Sequence, residues 1–581
     1  MRREYLIAPM AGLMLAAMVV AAPPSLAAER AIATGALTAL MARFQSAQPG
    51  DFPSFAEKVR ETAKHEVLKR SIDRFINKQP LDDIDRINIY RLLGIYGRIK
   101  YKSEMIRVLT ELVALPTYKR EGMPQHHNPH IIKLGETLEK LADAFELEFR
   151  NTGDRIFEII LAGEAKGAIG VFTHGDVVPV EDATWRVRHQ RWFYPFQLRI
   201  YGDRMYGRGV LDNKSSIVAA LFALKVIKES GFSIGRTIRL FVETTEETGG
   251  SGIEYYKQRH GLPGYNIVLD GRYPVGVAEK GFGVVMAKFP VRKAEGKGAE
   301  IVEVTGGGAI NQVPSEARAT ILGASPRELN RQLSPEVAGY VKAKGGNFRI
   351  LHSANRRRLI VTVIGEGTHS ARPDLGVNPV SRLFDFLNTI RDRAPFKRNH
   401  FTDAAAYVAD NWGIDDYGKK LGIDYADDFM GRLTAVLTTV KVKKGVLHVA
   451  VNPRAPRGKE PEQLIGEISE KLAAWRDRRG IPLTFDINIK RYMYRDPKGP
   501  WIETLLEIFA DITGLEPKPR SSNGYTTARQ LPNGIQFGPG MPGESGTAHK
   551  KNEFKKLSNF LRDVQILTET FLRLGNLKHM E

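Results

Sequence analysis

Cysteine is absent from all 581 positions. That excludes disulfides, thiolate metal sites, a cysteine nucleophile and lipid attachment through a cysteine near the N-terminus. Any metal must therefore be held by His, Asp and Glu. Internal repeats, low-complexity tracts and nucleic-acid modules are also missing. One apolar run, residues 6–22, follows Arg2 and Arg3 and ends in Pro23-Pro24-Ser25-Leu26-Ala27. Small residues at Ser25 and Ala27 make a signal-peptidase site, so residues 1–27 read as a cleaved secretory signal. A retained anchor is the alternative, but the run is near the short end for a span and stops at prolines. The expected location is periplasmic or secreted, with no stable membrane insertion after cleavage. A chain without cysteine suits a bacterial periplasm, where accidental oxidation then has no target. The formal charge is +19, and becomes +18 without residues 1–27, with 83 basic against 65 acidic groups. Because Lys and Arg are dispersed, this reads as a basic solvated surface, and no nucleic-acid partner is expected.

What is present reads as folded protein long enough for two to four domains. Residues 28–102 are polar and helical, with residues 55–64 and 84–99 the better helices. They form a helical N-terminal extension without chemistry, since His65-Glu66 lacks the second His of a zinc-peptidase helix. Ser103 is expected to cap a helix bearing Ile106, Leu109 and Val113, stopped by Pro116. His126, His127 and His130 sit among Pro and Asn without acidic partners and read as surface loop. Strands at 156–161 and 169–172, a helix at 217–227, and strands at 237–242 and 265–269 then alternate. This is the rhythm of a three-layer α/β domain with a mostly parallel central sheet. After Asp270 extended and helical stretches mix, as in an α+β insert. The expected order is a catalytic domain over 103–280, an inserted lid over 281–493, and the rest of the catalytic domain over 494–581.

The short apolar run at 169–172 delivers His174 and Asp176 to a strand end, where α/β sheets keep their chemistry. A carboxylate two residues beyond a His can take its other ring N–H and aim the metal-facing nitrogen. Alone, such a pair is more often structural. Asp212 stands just ahead of a helix, and Asn213 occupies the position where a phosphate-binding loop needs glycine. Glu246 and Glu247 follow an apolar strand and are fenced by Gly249 and Gly250, which let backbone approach an ion. Asp270 ends the next strand, and Thr547-Ala-His549 supplies a distant second His. His174, Asp212, Glu247, Asp270 and His549 are five N/O donors, with Glu246 left over. Such a set suits two divalent ions about 3.5–4 Å apart that share a carboxylate and a water. Donors without thiolate favour zinc, with cobalt or manganese as alternatives.

These motifs, with His174-x-Asp176-Val-Val-Pro, Gly207-Arg-Gly-x-x-Asp212-x-Lys214 and Glu246-Glu247-x-Gly-Gly, resemble the co-catalytic zinc peptidases. That family spans acetylornithine deacetylases, succinyl-diaminopimelate desuccinylases, glutamate carboxypeptidases and PepV-type dipeptidases. The resemblance implies that His174 and Asp270 hold one zinc, Glu247 and His549 the other, and Asp212 bridges. It makes Asp176 the support of His174 and Glu246 the general base. Ala309-Ile-Asn311-Gln-Val-Pro, Gly365-Glu-Gly-Thr-His369, Asn452-Pro-Arg454 and Asn523-Gly-Tyr-Thr-Thr-Ala-Arg529 resemble the PepV-like lid. By that resemblance His369 stabilises the oxyanion, and Asn311 and Arg454 grip a substrate carboxylate. The implied activity is hydrolysis of short peptides, most of all dipeptides, by a metal-bridging hydroxide. An N-acyl amino acid deacylase or single-residue carboxypeptidase would use the same site. Two departures stand out: Asn213 where a second Asp is usual, and Gly-Arg-Tyr-Pro after Asp270.

Overall fold

The computed structural model describes residues 40–44, 49–180, 184–187, 192–323, 325–391, 396–524, 526–544 and 546–581. The secretory-signal reading of residues 1–27 lies outside the described residues. No helix among them is long and apolar enough to cross a membrane.

Strand Ala168–His174 lies inside the first sheet. Ile169 and Val171 pack into the larger core, while Phe172 stacks on Phe241 with ring centroids 4.4 Å apart in a second core. Both faces are covered, which is why the sequence shows an unbroken apolar run rather than alternation. Thr237–Glu243 and Tyr265–Val268 flank it in parallel, and Gly534–Gln536 continues the parallel run. Outside these four, pairing turns antiparallel, except that Arg520–Ser522 runs parallel to Gly276–Glu279. The hairpin of Glu148–Thr152 with Ile156–Leu161 extends one side, and Gly276–Glu279 with Met493–Tyr494 the other. The sheet is thus parallel where helical crossovers connect it and antiparallel toward its edges, a more mixed sheet than the helix–strand alternation implies.

Helix Lys214–Ser230 is buried along nearly its whole length. It packs against Asp83–Lys100 and Leu557–Gly575. Asp83–Lys100 belongs to the stretch expected to be an extension, yet it is part of the core under the sheet. A Cβ at Gly94 would lie 2.8 Å from the Gln565 carbonyl oxygen, and one at Gly97 2.6 Å from Val226, so only glycine permits that approach. Fully buried Arg91 pairs there with Glu569 at 2.9 Å and Asp511 at 2.7 Å. Sequence periodicity gives the helix but not its partners, which lie in Lys214–Ser230 and, far downstream, in residues 511–569. The next helix runs Lys102–Val113 with Tyr101 as its cap residue, so Ser103 sits inside the first turn rather than capping it. The His126 ring accepts a hydrogen bond from Arg155 at 2.9 Å, in keeping with a polar surface loop.

The second sheet is eight-stranded and antiparallel, and its strands fall between Gly281 and Ile489. Buried and half-buried residues alternate along Gly281–Pro290 and Leu359–Ile364, as expected for a sheet covered on one face. Helices Pro326–Lys344, Pro379–Ile390, His400–Asn411 and Pro461–Arg479 share its core. Pro326–Lys344 was not legible as a helix, because it buries few side chains and carries Pro335 inside. The chain passes between the sheets at Glu279–Gly281 and again at Ile489–Met493. Arg529 reaches both crossings, donating to the Lys280 carbonyl at 2.9 Å and the Arg491 carbonyl at 2.8 Å.

Candidate metal centre

Three parallel strands end together, and each delivers an acid or His at its carboxyl end, the usual place for ligands in such sheets. His174 is the last residue of its strand and pairs with Glu243. Glu246 and Glu247 form a single turn just after Thr237–Glu243, and Asp270 follows Tyr265–Val268. Asp212 precedes helix Lys214–Ser230, and its peptide bond to Asn213 is cis. His549 sits in a loop with φ +62°. That loop is closed by Thr547, whose hydroxyl both donates to the Phe554 carbonyl and accepts from its N–H, each at 3.0 Å.

The buried His174 ring is held at both nitrogens. Nδ1 lies 3.0 Å from the Asp176 main-chain carbonyl, and Nε2 lies 2.9 Å from Asp212 Oδ1. Nδ1 therefore carries the proton to the carbonyl when the ring is neutral, leaving Nε2 as the free donor atom for a cation. The Asp176 carboxylate is 3.5 Å from the ring and accepts the N–H groups of Glu246 at 3.2 Å and Glu247 at 3.0 Å. It thus ties the His174 strand to the double-acid turn as well as lying against the imidazole. His549 Nε2 lies 3.0 Å from Asp212 Oδ2 and 3.1 Å from Glu247. Asp212 therefore has one oxygen toward each imidazole, the disposition a bridging carboxylate requires. Asp270 is 3.8 Å from His174 Nε2.

Donor atoms of His174, Glu246 and Asp270 lie within 4.8 Å of one another, as do those of His174, Asp212 and Glu247. Glu246 is thus in the cluster rather than beside it, and its carboxylate makes no hydrogen bond to another described residue. The electrostatics are those of a site short of positive charge. Burial depresses His174, but Asp176, Asp212 and Asp270 outweigh it and hold the ring well above the ordinary imidazole value. Hydrogen bonds that it donates to Asp212 and Glu247 raise His549 in the same way, although half of its side chain faces water, which screens part of that attraction. Burial opposes ionisation of Asp212, yet His174 and His549 keep it far below the usual carboxylate range. Burial, then Asp270, push Glu246 well up. Five carboxylates crowd two imidazoles, without thiolate, which fits hard or borderline divalent cations. A cavity of about 250 Å3 opens beside Asp212 and Asp270, lined also by Arg272, Met541, Glu544 and Phe554.

The lid residues gather in a second cluster. Gln312, next to Asn311, pairs with His369, and the Asn311 carbonyl accepts the Ser370 N–H at 3.0 Å. Ser370 donates to Asn452 at 2.6 Å, and Arg454 donates to the same oxygen at 3.2 Å. His369 Nδ1 accepts the Ala371 N–H at 3.1 Å, so the neutral ring carries its proton on Nε2. Surrounding protein and the Arg454 charge push its pKa below the ordinary value. Arg454 also donates to the Asn523 carbonyl at 3.3 Å, on the catalytic side. Among the described residues, no hydrogen bond or ion pair joins Asn311 or His369 to the metal-site carboxylates.

Two further residues brace the ligands, one marked in the sequence only as a departure and one not marked at all. Asn213 donates to the Leu269 carbonyl at 2.6 Å and to Asp270 at 3.4 Å, so this departure from the family pattern braces a ligand. Buried Glu553 accepts from the backbone of Leu211 and Asp212. The one available signal was its place four residues after His549.

The chain is 28% identical over 438 residues to a Beta-Ala-Xaa dipeptidase of Lactobacillus delbrueckii, covering 74% of this chain and 86% of that one. It is 27% identical over 486 residues to a dipeptidase candidate of Bacillus subtilis, YtjP, covering 82% and 98%. In fold it is similar to a di-peptidase of Saccharomyces cerevisiae, with a TM-score of 0.50 at 12% identity, covering 84% and 99%. The sequence pattern of peptidase family M20/M25/M40 matches residues 170–573, well over half the chain, and the protein belongs to that family.

Proposed function

We propose that the protein is a dipeptidase that uses two divalent ions, zinc before cobalt or manganese, and acts after export to the periplasm or beyond. What supports this above all is the convergence of His174, Asp212, Glu247, Asp270 and His549 from separate loops around the unbonded carboxylate of Glu246. The dipeptide preference follows the relatives named as dipeptidases. Export follows from residues 1–27.

In this reading His174 and Asp270 hold one ion, Glu247 and His549 the other, and Asp212 bridges. When bound, the pair supplies an acidified water and polarises the scissile carbonyl. Glu246 takes the proton of the attacking water and returns it to the leaving amine. Its raised affinity for protons suits that shuttle, and nearby cations draw it back toward an ionised base. Asp176 keeps His174 and the Glu246–Glu247 turn in register. His369 offers an Nε2–H to the oxygen on which charge develops. Arg454 presents a planar fork to the substrate carboxylate, with Asn311 beside it. Among the described residues no hydrogen bond or ion pair joins the two clusters, and in this reading the lid closes over the metal centre during turnover.

The test is a substrate panel on the mature protein, metal-stripped and then reloaded with zinc. Metal-dependent cleavage of free dipeptides, with their N-acetylated forms resistant, is the expected result. Cleavage of the blocked compounds alone would replace the dipeptidase with an N-acyl amino acid deacylase.

A further inference from the structure

We propose that Glu553 is a positioning residue for Asp212, and that it sets the two ligand-bearing loops in register. This role presupposes the two-ion reading of the site. Glu553 is fully buried and lies four residues beyond His549 in the same loop. Its two oxygens do different work. Oε1 accepts the N–H of Leu211 at 2.9 Å and that of Asp212 itself at 3.1 Å. Oε2 takes a hydrogen bond from Arg208 Nη1 at 2.5 Å. The main chain repeats the connection, since the Gly207 N–H donates to the Glu553 carbonyl at 3.2 Å and Phe554 pairs with Tyr206 in a strand ladder. The segment from Gly207 to Asp212 is therefore wrapped around one acid.

The consequence is geometric. Asp212 must place one oxygen 2.9 Å from His174 and the other 3.0 Å from His549, and those imidazoles stand on segments almost 400 residues apart. Pinning the Asp212 backbone through its own N–H fixes where the carboxylate starts. Because the pin is carried by the His549 loop, moving one ligand without the other breaks it. A purely structural acid would satisfy Arg208 and any nearby donor. Glu553 instead spends one oxygen on the N–H groups of the bridging residue and its neighbour. Groups in this supporting position typically change metal affinity by roughly 10–100-fold when removed.

Glu553→Gln keeps the volume but cannot satisfy both sides. Either its amide NH2 faces Arg208, donor against donor, or it faces the two backbone N–H groups. The experiment titrates the metal-stripped protein with zinc against a chromophoric chelator, while circular dichroism follows folding. Folded E553Q is expected to bind at least one zinc roughly 10–100-fold more weakly than the wild type, with Glu553→Asp recovering part of the loss. Wild-type affinity for both ions in folded E553Q would overturn the role of Glu553 and leave the two-ion reading standing. Failure of the wild type to bind any divalent ion would overturn both. Should E553Q not fold, Arg208→Lys keeps the cation but loosens the acid. A weaker zinc site in that variant supports the role, and unchanged affinity for both ions overturns it.

Discussion

Glu246 and Glu247 are neighbours in sequence with the same chemistry, and their surroundings separate them. Asp176 holds the backbone of both, but the Glu247 carboxylate lies 3.1 Å from His549, while the Glu246 side chain has no hydrogen-bond partner among the described residues. Glu246→Gln should therefore lower kcat about 10²–10⁴-fold, the usual worth of a general base. Its zinc content, measured by elemental analysis, should stay at the wild-type level; loss of metal would make Glu246 a ligand instead. Arg454→Ala should raise KM for free dipeptides roughly 10–100-fold, since a charge-assisted pair is worth about 1.5–3 kcal/mol. An unchanged KM would place the carboxylate elsewhere.

Protonation gives a further prediction at this scale. His174 and His549 are both held above the ordinary imidazole value, so both carry a proton at neutral pH without metal. Zinc must displace those protons and also draws Glu246 toward ionisation, so calorimetry in buffers of different ionisation enthalpy should report roughly two to three released at pH 7. The sign for stability follows. A raised imidazole stabilises the metal-free fold fully below about pH 6.5, and that contribution fades as pH climbs toward the folded-state value. Glu243 and Glu553, pushed up to about 7 chiefly by burial, act in the same direction, because charging them above their unfolded value near 4.5 costs stability. Buried Lys214, drawn down to about 7, acts the opposite way but is one group against these four, so the metal-free protein should melt lower at pH 8 than at pH 6, and the rise in Tm on adding zinc should grow over that interval. A metal-free Tm that increased with pH would contradict it.

Among the elements, helix Asp83–Lys100 departs most from its sequence reading. Its glycines and Arg91 make sense only against Leu557–Gly575, the last helix of the chain. Arg91→Ala leaves Glu569 buried without its main partner and should cost about 3–5 kcal/mol in urea unfolding. A chain starting at residue 103 should be insoluble, because it exposes the apolar faces of Lys214–Ser230 and Leu557–Gly575; a soluble, active product would show that the core does not need this cover. Periodicity could reveal these helices one at a time. Their mutual packing could not be read, because contacts between residue 91 and residue 569 leave no local pattern.

At the scale of the whole molecule, two sheets are joined where Glu279–Gly281 and Ile489–Met493 cross, and Arg529 holds both crossings together with Glu279. The proposed closure would bend the chain at this point. Arg529→Ala should change kcat and KM together while zinc binding stays intact, as expected of a hinge residue that is not itself a ligand; normal kinetics would remove Arg529 from the closing motion. The amino-acid sequence by itself determined the donor chemistry, because a chain without cysteine leaves only imidazole and carboxylate for a metal. It also marked the strand ends that carry His174, Glu247 and Asp270, since strands buried on both faces are written as short apolar runs stopped by polar residues. Only the tertiary structure decided how those donors are held. The oxygens of Asp212 divide between two imidazoles, Asp176 binds the Glu246–Glu247 backbone, and Glu553 reaches back to Asp212 because long-range packing sets distances that local spacing cannot encode.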